Sequence, residues 1–284
     1  RMLAGLAGTS ALSGALATPA LAGLSRPDII IGWTPWSDAE AVTKLAATVL
    51  RSRMGADVEL TLADIHAQFR TVASGEIDAM LMSWEPGLHA RYLARHGDDI
   101  EDLGILYRGT IGLGVPEWVD PDFVSSIPDL AKPDVVDAMQ GVITGIDPGA
   151  GVMEKTREAM KLYGLDYELL EGTGPRMVRE IALAQRRKSG IVTTAWRPHA
   201  KFPLYGMRYL SDPEGVFDQT SEIHARAHPD LRRRSPEIVR FLERFSLSID
   251  EIETIMVTAR QLGMDGAVQD WIAANPGRVD SWIG

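Results

Sequence analysis

The sequence DIIIGWTPWSDAE, residues 28–40, places a short apolar run directly before the start of a helix. The run is β-rich and uninterrupted by polar residues, which is typical of a strand buried in a parallel sheet. Ser37 followed by Glu40 has the spacing of a capping box, which predicts a helix from Ser37 to about Arg53. The stretch therefore predicts a strand–helix unit whose connecting loop carries Trp36.

The same alternation of strand and helix continues along the chain. Strand-like runs at 58–60 and 79–82 flank a helical segment at 65–74, an order that indicates an open parallel sheet with helices on both faces. A second series of this kind extends over residues 141–195. Because the two series share no repeated sequence, we predict two α/β lobes. A glycine-rich stretch from Leu106 to Val115 joins them and is predicted to be the hinge.

These patterns divide the chain into four predicted segments. They are an export signal at 1–22, the first part of lobe 1 at 23–110, lobe 2 at 111–205, and a return to lobe 1 with C-terminal helices at 206–284. The first segment has no charged residue between Met2 and Ala22 and ends in a small-x-small pattern that signal peptidases cleave. A membrane anchor is the alternative, although alanine, glycine, serine and threonine make a weak span.

Composition excludes several classes of protein. The 284 residues contain 29 Lys and Arg against 39 Asp and Glu, a net charge of −10. This sign disfavours nucleic acid as a partner, because phosphate affinity depends on basic side chains. The chain has no Cys, so it has no disulfide, thiolate zinc site or cysteine nucleophile. It also has no GxSxG or HExxH motif, and we expect no enzymatic activity.

Three tryptophans occupy the loops that follow predicted strands. Trp36 follows the first strand, Trp84 lies in SWEPG after the third, and Trp196 lies in AWRPH after the last strand of the second series. Ligands of open α/β sheets bind beyond the carboxyl ends of strands, so closure of the lobes would bring these rings together. Rings around a void attract quaternary ammonium ions by roughly 0.5–2 kcal/mol each. We therefore predict a cation cage; ordinary packing of the indoles is the alternative.

A candidate anion site precedes a helix of the second series, in the segment GIDPGAG at 145–151. Small residues before a helix N-terminus leave backbone N–H groups free, so Gly149, Ala150 and Gly151 are candidate ligands of a carboxylate. His199, three residues after the last cage tryptophan, is a candidate donor to the same carboxylate or else a surface residue. Beside the cage, these groups predict a site for a zwitterion.

Other residues with binding chemistry have two interpretations each. Asp38 either lies near the cage, where it would favour a plain cation such as choline, or faces solvent in the first helical turn, where it would interact with the helix dipole. Trp118 is either a fourth wall or a packing residue. His224 and His228 have a spacing compatible with a metal, but the arginines around them favour an exposed surface.

Five motifs together resemble the substrate-binding proteins of ABC importers for glycine betaine, choline and related methylated amines, the OpuAC-like family. They are WSDAEAVT at 36–43, WEP at 84–86, GIDPGAG at 145–151, WRPH at 196–199 and WIAANPGRVDSWI at 271–283. The resemblance covers residues 28–284. It implies a two-lobe type II periplasmic binding fold, with the three loop tryptophans as cage walls and the amides of Gly149–Gly151 and His199 as carboxylate ligands.

The chain departs from the choline binders of this family at two positions. It has Ile111 where they place a tyrosine on the hinge strand, and Ala150 where they place an asparagine. Both differences argue against choline and leave the fourth wall open, with Tyr107 and Trp118 as candidates.

We therefore expect a monomeric, periplasmic binding protein without cofactor or metal that passes a betaine to a permease in the inner membrane. A choline or trimethylamine N-oxide binder of the same fold is the alternative within this class. An enzyme acting on a small methylated amine is the alternative from another class.

Overall fold

The computed structural model describes residues 26–217 and 220–284, so the predicted export signal lies outside the described residues. The strands are β1 (Ile29–Trp33), β2 (Val58–Leu62), β3 (Ala79–Glu85), β4 (Glu101–Pro116), β5 (Val142–Thr144), β6 (Glu168–Leu170), β7 (Val192–Arg197), β8 (Met207–Tyr209) and β9 (Ser221–Ala227). The helices are α1 (Ser37–Met54), α2 (Ile65–Ala73), α3 (Ala90–His96), α4 (Pro133–Ala138), α5 (Gly151–Tyr163), α6 (Gly174–Arg187), α7 (Lys201–Tyr205), α8 (Asp230–Arg234), α9 (Pro236–Arg244), α10 (Ile249–Ala274) and α11 (Pro276–Ile283).

Two mixed sheets share one long strand, β4. Sheet A has the order β2-β1-β3-β9-β4, with β9 antiparallel to both of its neighbours. Sheet B consists of β6-β5-β7-β4, and β8 also pairs with β4. The first lobe is built on sheet A and the second on sheet B, which confirms the predicted α/β architecture with two lobes.

Strand β4 passes from one lobe to the other inside the predicted hinge. Gly109 is its last residue paired with β9, and Thr110 is its first paired with β7. The segment boundaries at 110, 205 and 206 stay predictions. Strand β8 lies beyond residue 205 but pairs in sheet B, and β9 is the strand that returns to sheet A.

Helix α1 begins at Ser37, as predicted, but the predicted capping box is wrong. Trp36 is the N-cap residue and makes no side-chain capping bond. The hydroxyl of Ser37 is buried without a hydrogen-bond partner among the described residues. The reason is one of register: Ser37 is already the first helical residue, whereas a capping side chain must come from the residue before it. The helix ends at Met54, and the next residue, Gly55, has a φ of +70° that suits a left-handed C-cap.

Strands β3 and β7 are longer than their sequence patterns predict. They extend to Glu85 and Arg197, past the predicted ends at 82 and 195. Both extensions are paired with an antiparallel neighbour, Trp84 opposite Ile223 and Trp196 opposite Ile111. Two of the three predicted cage tryptophans therefore lie at strand ends and not in loops.

The C-terminal helices pack on the first lobe. Helix α10 lies along α1, and the rings of Trp271 and Trp282 are buried and stacked with centroids 5.9 Å apart. Both tryptophans are core residues. No helix in the ranges 26–217 and 220–284 is both long and apolar enough to cross a membrane.

Candidate ligand-binding site

A cavity between the lobes is lined by all three predicted cage tryptophans. Trp36 comes from the turn between β1 and α1, Trp84 from the end of β3, and Trp196 from the end of β7. Each indole is at most 6% exposed. The cavity and its mouth contain about 320 Å³ of space free of protein atoms. The other lining residues are Asp38, Leu88, His89, Ile111, Ile146, Ala150, Gly151 and Val152.

Trp84 is fixed by close packing against the hinge. A Cβ atom at Gly109 would lie 2.6 Å from Cη2 of Trp84, so only glycine leaves room for the indole at this point of β4. Tyr107 packs edge-on against the same ring, with centroids 6.4 Å apart. The strand that connects the lobes therefore also positions one wall of the cavity.

Asp38 is buried beneath the cage and holds two aromatic side chains. Its carboxylate accepts a 2.7 Å hydrogen bond from the Tyr107 hydroxyl and a 3.0 Å bond from Nε1 of Trp196. Burial raises the pKa of the Asp38 carboxyl, and the two hydrogen bonds lower it. The solvent-facing alternative for Asp38 is wrong, because the side chain is fully buried.

Neither candidate for the fourth aromatic wall lines the cavity. Tyr107 is buried and its hydroxyl is bonded to Asp38, so it supports the walls from outside. Trp118 lies elsewhere in the second lobe, where Nε1 donates to the carbonyl oxygen of Ser189 at 3.1 Å. The lining side chain at the hinge is Ile111. These placements correct the prediction that Tyr107 or Trp118 completes the cage.

Trp36 contacts both lobes. Its Nε1 donates a 2.8 Å hydrogen bond to Oδ2 of Asp147, which belongs to the loop between β5 and α5. Its ring also stacks on His89 of the first lobe, with centroids 6.0 Å apart and planes inclined by 29°. The indole is thus held in place from two sides.

His89 is a lining residue that the sequence analysis missed. Its Nδ1 accepts a 2.9 Å hydrogen bond from the Trp84 backbone N–H, so the proton of the neutral ring is on Nε2. Burial lowers the pKa of His89 to about 3, and nearby Arg91 lowers it as well. His89 is therefore a neutral N–H donor at the cavity. Its position in the WEPGLH loop, beside a cage tryptophan, was the available signal.

His199 is not among the residues that line the cavity, and its predicted contact with a carboxylate stays a prediction. Its Nδ1 accepts a 3.0 Å hydrogen bond from the Lys201 backbone N–H, and its own backbone N–H donates to Glu253. The ring packs edge-on against Trp196 at 4.6 Å. Burial lowers the pKa of His199, and the Lys201 charge adds to this effect. The residue supports a cage wall as a neutral imidazole.

The predicted anion loop is only partly at the cavity. Ala150 and Gly151 line it, and so does Val152, which the sequence analysis missed. Ala150 is the N-cap of α5, and its N–H donates to the carbonyl of Asp147. The amides of Gly151 and Val152 are available because the first N–H groups of a helix have no partner within it. Gly149 is not a lining residue; its carbonyl accepts hydrogen bonds from the first lobe.

Contacts outside the cavity hold the lobes together. Arg91 of the first lobe forms an ion pair with Glu154 of α5 and donates to the carbonyl of Gly149 at 3.1 Å. The Tyr92 hydroxyl donates to the same carbonyl at 3.4 Å. These contacts join residues of both lobes around the three tryptophans.

The metal alternative at His224 and His228 receives no support. His224 is paired with Asp102 at 2.9 Å, and the part of the chain that is described contains no group of three or more His, Asp or Glu side chains able to hold a metal ion.

Residues 27–274 match the family described as the substrate-binding domain of ABC-type glycine betaine transport systems. The chain belongs to this family of substrate-binding proteins, whose members are not enzymes. It is 31% identical over 157 residues to the glycine betaine/carnitine transport binding protein GbuC of Listeria monocytogenes serotype 1/2a (strain 10403S), a match over 54% of this chain and 52% of GbuC. The chain thus spans about half the length of this curated relative.

Two solved structures extend the comparison to the whole fold. Lactococcal OpuAC, closed and complexed with glycine betaine, has a TM-score of 0.83 and 26% identity over 90% of this chain and 99% of its own. The glycine betaine/L-proline-binding protein ProX of Borrelia burgdorferi has a TM-score of 0.81 and 25% identity over 90% of this chain and 96% of its own. These likenesses confirm the predicted two-lobe binding-protein fold.

Proposed function

We propose that this chain captures glycine betaine in the cavity between its lobes. The trimethylammonium group would lie among the indoles of Trp36, Trp84 and Trp196. The carboxylate would accept hydrogen bonds from the first amides of α5, at Gly151 and Val152, and from Nε2 of His89. The observation that carries the proposal is that one cavity is lined by three indoles from both lobes together with His89 and the first residues of α5, Gly151 and Val152.

The energetics support a methylated ammonium ion. Three rings at roughly 0.5–2 kcal/mol each contribute about 1.5–6 kcal/mol, and the upper value is most of the roughly 8 kcal/mol of a micromolar complex. An ammonium without methyl groups would need hydrogen-bond acceptors. Asp38 is the one carboxylate among the described residues that line the cavity, and both of its oxygens already accept bonds from Tyr107 and Trp196.

The donors at α5 and His89 favour a zwitterion over choline. A helix N-terminus attracts negative charge, and its amides need an acceptor once the lobes exclude water. A betaine carboxylate supplies that acceptor. Choline offers only a hydroxyl there, which carries no charge for the helix dipole.

In this proposal the protein acts as a periplasmic monomer. Ligand binding would favour the closed arrangement of the lobes, and the closed form would dock on the permease of an ABC importer in the inner membrane. The transporter partner follows from the family; the compartment, the monomeric state and the ligand are parts of the proposal.

Calorimetric titration with glycine betaine, choline and trimethylamine N-oxide tests the proposal. We expect glycine betaine to bind most tightly and to raise the melting temperature, since binding to the folded state adds stability. Trp84→Ala and Trp196→Ala should each raise Kd by more than about tenfold. Trp118→Ala removes an indole outside the cavity and is the matched control. Absence of binding by all three ligands, or unchanged Kd values in both cage variants, would overturn the proposal.

A further inference from the structure

A lysine is completely buried behind the cage. Lys201 is the first residue of α7, has an exposed fraction of 0%, and is not among the residues that line the cavity. Lysine is almost never fully buried without a partner. Its position two residues after His199 places it in the structural layer that supports Trp196.

All close partners of the Lys201 amine are acceptors. Nζ lies 3.1 Å from the Thr194 carbonyl oxygen and 3.9 Å from the sulfur of Met177, and it stands 4.0 Å from the centroid of the Trp196 ring. A carbonyl, a thioether and a π face together match the three donors of an ammonium group. Burial holds the pKa of Lys201 well below its usual value, and the nearby Asp38 carboxylate offsets only part of this effect.

The lysine covers one face of Trp196. Because Lys201 is not among the lining residues, we place a ligand in the cavity on the other face of Trp196. A ligand ammonium on that face and the Lys201 ammonium would therefore share one ring. Each would reduce the attraction of the ring for the other, since both interact with the same quadrupole.

The same lysine balances the charge of the cage. Asp38 is the only carboxylate among the described lining residues, and His89 is held neutral by burial. With Lys201 charged, Asp38 and Lys201 together contribute no net charge around Trp196. Without the lysine charge, Asp38 would leave one negative charge beside the site, which would favour a plain cation as the ligand.

We propose that Lys201 determines specificity: its positive charge behind Trp196 disfavours ligands with a net positive charge, such as choline, relative to zwitterionic betaines. This inference rests on the proposed function. It assigns to Lys201 the preference of the cavity for zwitterions over plain cations. The betaine carboxylate offsets the repulsion that the lysine exerts on the ammonium group, and choline has no carboxylate.

Coulomb's law gives the size of the effect. Nζ of Lys201 lies 4.0 Å from the ring centroid. A ligand cation on the other face would lie at a similar distance from the ring, so that about 8–10 Å would separate the two cations. At an effective dielectric constant of about 20, this separation weakens binding of a plain cation by about 15- to 30-fold. The Kd ratio of choline to glycine betaine should therefore fall by about tenfold when the charge is removed.

The experiment is a pair of titrations, with choline and with glycine betaine, at mildly acidic pH, which favours the charged amine. Lys201→Met removes the charge and fills the same space, and Lys201→Gln removes the charge while keeping a donor for the Thr194 carbonyl. Lys188→Met is the matched control, because that lysine stands 6.0 Å from the ring of Trp118, outside the cavity. Melting temperatures of the ligand-free variants report folding.

We expect both Lys201 variants to lower the choline-to-betaine ratio of Kd by about tenfold, and the Lys188 variant to leave it within about twofold of wild type. A merely structural role would weaken both ligands in parallel and keep the ratio, and that result would overturn the inference. If wild-type protein binds glycine betaine but the ratio is unchanged in the variants, only the role of Lys201 fails. If wild-type protein binds neither ligand, the proposed function itself fails.

Discussion

Trp36 and Asp147 join the two lobes across the ligand cavity through one hydrogen bond, of 2.8 Å between Nε1 and Oδ2. The indole therefore does two things at once, because it is a wall of the cavity and also a donor to the opposite lobe. Burial raises the pKa of the Asp147 carboxyl, and the Trp36 hydrogen bond lowers it. Because the bond joins one lobe to the other, we expect it to contribute to closure of the lobes on a ligand.

Replacement of Asp147 should weaken ligand binding. Asp147→Ala removes the acceptor and leaves the Trp36 N–H unpaired in the closed state, and a hydrogen bond to a charged group contributes about 1.5–3 kcal/mol. We expect Kd for glycine betaine to rise about tenfold, mainly through faster dissociation. Asp137→Ala, an exposed position on α4 of the same lobe, is the control. A Kd equal to wild type would show that the bond does not contribute to closure.

Gly151 is a second point at which closure can be tested. A Cβ atom at this residue would lie 2.7 Å from Cβ and 2.9 Å from the carbonyl oxygen of Leu88, a residue of the opposite lobe. Gly151→Ala should therefore obstruct closure and raise Kd by more than about tenfold, while the ligand-free protein keeps its melting temperature, since alanine favours a helix. Gly149→Ala is the matched control, because its Cβ would meet only an ordinary contact at 3.8 Å.

The outcome separates a defect in closure from a defect in folding. Titration calorimetry and the melting temperature of the ligand-free protein are measured on both glycine variants. If Gly151→Ala binds as tightly as Gly149→Ala, the contact with Leu88 does not limit closure. If its ligand-free melting temperature falls sharply, the residue is needed for the fold of the second lobe itself.

The two-lobe fold and the three cage tryptophans could be predicted because both depend on local patterns. Apolar runs and the turn residues between them reveal that strands alternate with helices. The carboxyl ends of parallel strands then meet at one edge of a sheet. Trp36, Trp84 and Trp196 therefore share a cavity, as their positions after strands suggested.

The groups that hold the cage could not be predicted, because they depend on contacts distant in sequence. Asp38 is bonded to Tyr107, 69 residues away, and to Trp196, 158 residues away. Its acidity and its place in a first helical turn gave no sign that it is buried. The extra length of β3 and β7 likewise comes from antiparallel partners that no local pattern identifies.

The ion pair between Arg91 and Glu154 should contribute much less to ligand affinity than the hydrogen bond between Trp36 and Asp147. Both side chains are about half exposed, and exposed pairs contribute about 0–1 kcal/mol. Glu154→Gln should therefore raise Kd by no more than about threefold at low salt, and the effect should disappear at high salt because the pair is screened. Glu158→Gln alters a pair with Lys155 inside the same helix and is the control. A salt-independent loss of tenfold or more would contradict this ranking.

Two buried histidines should make the protein unstable in acid. Burial holds the pKa of His89 at about 3 and lowers that of His199, whereas an unfolded histidine titrates near 6.5. Below pH 6.5 the unfolded chain therefore binds more protons than the folded one, and the free energy of unfolding falls as the pH decreases. Each histidine that stays neutral in the fold adds about 1.4 kcal/mol per pH unit to this slope.

The variant His89→Asn isolates one of these two contributions. An asparagine oxygen can accept the Trp84 N–H in place of Nδ1, and it does not titrate in this range. Denaturant unfolding from pH 7 to pH 4 should give a wild-type slope steeper than that of His89→Asn by about 1.4 kcal/mol per pH unit, the slopes converging only as the pH approaches the folded pKa of His89. Carboxylates elsewhere add equally to both curves and cancel in the difference. Parallel curves would mean that His89 titrates with the same pKa in the folded and unfolded protein, so that burial does not keep it neutral below pH 6.5.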